Sequence, residues 1–100
     1  MFMAKKLLPI GTVVILKESD GRVMISGYLP VTQSRPDYAW DYSGFRFPLG
    51  YVNDNEVFCF DEEQIDTIIQ YGFRDYEADD FLEKVEASMD EVKKQISEGE

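Results

Sequence analysis

Apolar and polar positions follow three rhythms along this chain. The first is blocked: Leu7-Leu8-Pro9-Ile10-Gly11-Thr12-Val13-Val14-Ile15-Leu16-Lys17, then polar Glu18-Ser19-Asp20-Gly21, then Arg22-Val23-Met24-Ile25-Ser26-Gly27-Tyr28-Leu29. Apolar blocks carrying β-branched residues suit strands buried on both faces. Asp20-Gly21 between them is a strong turn dipeptide. The stretch reads as an N-terminal hairpin, with Pro9 before or at the start of its first strand and Gly11 permitting a bend.

The second rhythm has period two. Tyr38, Trp40 and Tyr42 alternate with Ala39, Asp41 and Ser43, which predicts a half-buried antiparallel strand with one ringed face. Gly44 interrupts it, and Phe45-Arg46-Phe47 resumes one register later, so a bulge or tight turn is expected there. After turns over 48–51 and 52–55, Glu56-Val57-Phe58-Cys59-Phe60 reads as a short fourth strand.

The third rhythm is helical. Asp61 as N-cap and Gln64 three residues on make a capping box, and Phe60 and Ile65 make a hydrophobic staple. Ile65, Ile68, Ile69 and Tyr71 give an apolar stripe and Gly72 a C-terminal stop, so a short helix is expected over 61–72. A longer helix is expected over 75–97. Ala78, Leu82, Val85, Met89, Val92 and Ile96 follow a 4-3-4-3-4 spacing, with Phe81 widening the stripe. Acids in its first turns and Lys93 and Lys94 near its end suit the helix dipole. The stripe is about 27 Å long, more than a small sheet usually needs. The segment therefore either packs along its whole length or offers Met89, Val92 and Ile96 to a partner helix or to a second copy of the chain.

The expected fold is α+β: an antiparallel sheet of about four strands over 7–60, then a short and a longer helix, in one domain of 100 residues with a loose end at 1–6. Net charge narrows the partners. The total is −10, and residues 1–50 carry six Lys/Arg against four Asp/Glu, whereas 51–100 carry four against sixteen. That sign disfavours nucleic acid and anionic membrane surfaces, and suits either plain solubility or a basic protein partner. No segment is long and apolar enough for a signal peptide or membrane span. One cysteine leaves no intramolecular disulfide, and a cytoplasmic location is expected.

Catalytic candidates are few. Without histidine there is no general acid–base group tuned to neutral pH, and none to activate Cys59 or a serine. Cys59 reads as a small core hydrophobe between Phe58 and Phe60. An enzyme would need carboxylates alone, with Asp41 paired to another acid in a pocket. Asp75, Glu77, Asp79 and Glu86 fall at four calcium-loop positions, but Asp80 stands where that loop needs Gly and the segment reads as helix. No metal or cofactor is expected. The candidate partner-binding residues are Trp40, Tyr42 and Phe45 on the aromatic segment and Met89, Val92 and Ile96 on the distal helix. For the rings, the competing reading is that they line the sheet face covered by the helices.

The blocks Leu7–Lys17, Val23–Tyr28, Tyr38-Ala39-Trp40-Asp41-Tyr42, Pro48-Leu49-Gly50-Tyr51, Phe60–Asp66 and Tyr71-Gly72-Phe73, in this order and spacing, resemble a family of small uncharacterised proteins from Gram-positive bacteria. Its members are encoded in type VII secretion gene clusters beside genes for LXG-domain toxins. The resemblance covers about residues 7–85 and departs from the family pattern in the acidic helix after Arg74. It carries over no catalytic residue. It implies a non-enzymatic accessory factor of type VII secretion, a chaperone or adaptor whose partner is a secreted toxin or another secretion component. The alternative is an immunity protein that neutralises a cognate toxin.

Overall fold

The computed structural model describes residues 6–98; the expected loose end at 1–6 and the last two residues lie largely or wholly outside that range. Five strands and one long helix form two layers. The strands are β1 (Val13–Leu16), β2 (Arg22–Tyr28), β3 (Tyr42–Arg46), β4 (Val57–Phe60) and β5 (Ile65–Gln70), and the helix is α1 (Tyr76–Glu98). All pairings are antiparallel, in the order β4-β3-β2-β1-β5. The expected α+β class and N-terminal hairpin are present. Two expectations are corrected: among the described residues the sheet has five strands rather than about four, and there is one α-helix rather than two.

The missing helix is the stretch 61–72. Its capping box is present, with Asp61 N–H donating to the Gln64 side chain at 2.9 Å, but it heads only a 3-10 turn at Glu62–Gln64. Ile65, Thr67, Ile68 and Ile69 are β-branched and favour extended backbone. They pair with β1, Val14 opposite Ile68 and Leu16 opposite Ile65. Without β5, the strand β1 would present an unpaired apolar edge.

The first strand is also shorter than its apolar block. Leu7 to Pro9 are buried but not in a strand; they form a strap beneath α1. Leu7 N–H donates to Glu86 at 2.8 Å, Leu8 N–H donates to the Tyr42 hydroxyl at 3.0 Å, and the Tyr28 hydroxyl donates to Leu8 C=O at 2.5 Å. The strap ends at Thr12, whose buried hydroxyl donates to Pro9 C=O and accepts from Gly72 N–H at 3.0 Å. Gly72 is therefore a crossing point and not a helix stop. A Cβ there would lie 2.1 Å from Ile10 O. The positive φ in the hairpin loop falls on Glu18 (62°) rather than on Gly21.

Val14, Val23, Ile25, Tyr42 and Phe60 line the covered face and meet Leu7, Leu8, Leu82 and Met89. One helix covers one face, so β1 and β2 are not buried on both sides. Val13, Met24, Phe45 and Val57 form a half-buried row across the open face. Gly44 does not break β3 as expected; it sits inside the strand, where a Cβ would come within 2.7 Å of Met24 O and Val23 Cγ1. The irregularity is in β2, between Ile25 and Gly27. One inserted residue there turns Tyr28 onto the covered face opposite Tyr42.

Candidate functional site

Two features of the covered side could carry function: a polar clasp at one end of α1 and an apolar groove at the other. The clasp is built on Asp41, which is fully buried. Its carboxylate accepts from Glu62 N–H at 2.8 Å and from Lys93 Nζ at 2.5 Å. Its own N–H donates to Asp61 at 2.9 Å. The Tyr38 hydroxyl donates to the other oxygen of Asp61, and the Tyr42 hydroxyl donates to Glu62 at 2.6 Å.

Burial first, then the bond to Glu62, holds the Tyr42 phenol far above its ordinary range. The bond to Asp61 is the main cause that pushes Tyr38 up to about 12. These phenols therefore stay protonated and donate. A substrate reaching Asp41 would have to displace Lys93 or the Glu62 amide. The geometry makes Asp41 a tie between the sheet, the turn after β4 and α1. Because α1 runs on to Glu98, its last turn holds no basic residue, and the Lys93 charge is taken up by Asp41 instead of the dipole.

The groove lies at the other end of the helix. Pro9 and Ile10 of the strap, Tyr28 of β2, Phe73 of the β5–α1 link and Ala78, Phe81 and Leu82 of α1 enclose about 350 Å³, with Asp75 and Glu77 at the rim. Leu82 and Pro9 are buried and form the floor, and the Phe81 ring lies 6.3 Å from that of Tyr28. The walls are open to solvent: Phe73 is 78% exposed, Ile10 53% and Phe81 53%. Asp75 caps the helix by accepting from Ala78 N–H at 2.8 Å. Burial, and then the Glu86 carboxylate, push the Tyr28 phenol up to about 12.

The residues singled out from sequence are divided by this geometry. Tyr42 and Met89 are core residues, 0% and 3% exposed. Val92 and Ile96 are half-buried, and with Met89 in the core and Lys93 on Asp41 the distal half of α1 is seated on the protein. Trp40 is half-buried, edge-on to Tyr38 at 5.0 Å with Arg35 over both rings. Its indole N–H is buried without an acceptor among the described residues. Phe45 lies on the open sheet face against Tyr51. Cys59, also half-buried, opens on that side into a recess with Pro30 and Val57, and burial pushes its thiol pKa up.

Sequence reasoning missed Ile10 and Phe73 because they face each other only through the Gly72 crossing. Phe81 was the one visible signal, an apolar residue off the regular stripe. Among the described residues no group of three or more His, Cys, Asp or Glu is placed to hold a metal ion, and no helix is long and apolar enough to cross a membrane. A family model described as a domain of unknown function, DUF4176, matches residues 7–81. No curated protein and no solved structure matches the chain.

Proposed function

The chain belongs to the DUF4176 family, and we propose that it is a non-enzymatic protein-binding accessory factor of type VII secretion, a chaperone or adaptor that holds an LXG-type toxin before export. The observation that carries this reading is the groove at the start of α1. Three large apolar side chains stand open around a preformed recess, at a place where the core needs none of them exposed. Exposed aromatic residues around a pocket are the usual anchors of protein recognition. The buried tie of Asp41 to Lys93 also supports it, since the acid best placed for chemistry has a structural task. The type VII setting comes from the family resemblance of the sequence blocks.

Co-purification of this chain from its native operon, followed by co-expression with any LXG-type toxin recovered, tests the reading. The expected result is a stoichiometric complex and improved toxin solubility or export, with toxin activity unchanged. Recovery of no toxin or other export substrate would overturn it. Loss of toxin activity at equal stoichiometry would instead establish the immunity role.

A further inference from the structure

We infer that the groove between the Pro9–Ile10 bend, Tyr28 and the first turns of α1 receives a cationic polypeptide segment. One or two large apolar side chains enter the recess, and flanking Lys or Arg residues meet Asp75 and Glu77. This deepens the protein-binding reading above and rests on it. The walls supply the first half of the argument. Phe73, Ile10 and Phe81 surround a recess of about 350 Å³ with a buried floor, small enough to suit side-chain anchors.

Charge supplies the second half. Both charged side chains lining the groove, Asp75 and Glu77, are acidic. The cations of the adjoining turns are already matched, Arg74 to Asp79 at 2.8 Å and Lys84 to Asp80 at 3.1 Å. Glu77 makes no ion pair among the described residues. An acidic segment, a phosphate backbone or an anionic lipid surface would meet repulsion at this rim. A basic segment would be steered to it. A second copy of the chain would bring its own net charge of −10.

The test uses the full chain and a fluorescein-labelled synthetic peptide of Lys, Leu and Phe. Two controls replace every Lys by Glu or every Leu and Phe by Ser. Fluorescence anisotropy should show binding of the Lys/Leu/Phe peptide that weakens with added salt. Affinity should fall about tenfold or more in a Phe73→Ser, Phe81→Ser double variant and fall again with Glu77→Lys. Both phenylalanines are exposed, so the variants should keep the wild-type circular dichroism.

The inference is overturned if the wild type does not bind the peptide, if the variants bind as the wild type does, or if the Glu control binds equally. It is also overturned if the chain self-associates in light scattering and the double variant abolishes that association. The two readings separate in the co-expression assay. Groove variants that still hold the toxin as well as wild type sink the groove assignment alone. A wild type that binds the peptide through Phe73 and Phe81 but recovers no export substrate sinks the secretion reading alone.

Discussion

Replacing Gly72 by Ala tests the crossing on which the groove depends. The added Cβ would stand 2.1 Å from Ile10 O, 2.9 Å from Ile10 C and 2.9 Å from Thr12 N, all backbone atoms. Real Cβ contacts are essentially never under 3.0 Å, so strap and link must part by about 1 Å. That separation stretches the 3.0 Å bond from Gly72 N–H to Thr12 past bonding range. Overpacking contributes about 1–3 kcal/mol and the lost bond about 1 kcal/mol. The expected destabilisation is therefore about 3 kcal/mol, a large part of the ~5–15 kcal/mol typical of a domain. The melting temperature should fall by roughly 15 °C.

Urea denaturation followed by the fluorescence of Trp40, the single tryptophan, measures the loss. Gly50→Ala is the control. Gly50 has φ +72° and nothing within 4 Å of a built Cβ, so it should lose only the left-handed penalty of about 1 kcal/mol. Because Gly72 lies outside that region, its loss would be steric. A Gly72→Ala protein within about 0.5 kcal/mol of wild type would refute the close crossing and the placement of Ile10 beside Phe73.

Thr12→Val keeps the shape of a buried side chain but removes the acceptor for Gly72 N–H and the donor to Pro9 C=O; it should cost about 1–3 kcal/mol by urea titration. Lys93→Met removes the 2.5 Å ion pair to the fully buried Asp41; partial exposure of Lys93 tempers the effect, and a loss of about 2–3 kcal/mol is expected. An unchanged midpoint would refute the tie. Tyr28 and Tyr38 are raised from 10.0 to about 12. The unfolded chain ionises first, so their contribution is intact below pH 10 and is lost as pH rises toward 12. Denaturation midpoints at pH 9 and 11 should show the fall. Glu18→Gly relieves a φ of 62° in the hairpin loop and should stabilise by about 0.5 kcal/mol.

Legibility in the sequence tracked how local each cause was. The 4-3-4-3-4 stripe expected as a helix over 75–97 is α1 at Tyr76–Glu98, because amphipathic periodicity is written in neighbouring turns. The capping box at Asp61 and Gln64 was equally local and equally real. The fate of residues 65–70 was decided elsewhere, by the unpaired edge of β1 some fifty residues earlier. β-Branched residues at four of the five positions 65–69 were the visible warning. The inserted residue in β2 that turns Tyr28 inward left no such mark. The groove was the least legible, since Ile10, Tyr28, Phe73 and Phe81 meet only after the sheet and the crossing exist.

The sheet order β4-β3-β2-β1-β5 also sets when the protein can become itself. The first strand waits for the fifth, and the strap at the beginning of the chain is locked by Glu86 and packed under Leu82 and Met89 near its end. Contacts so distant in sequence slow folding. No groove therefore exists until residues from Pro9 to Leu82 have folded together. Whatever binds there selects finished molecules over nascent ones, and by binding only the folded state it makes them harder to unfold.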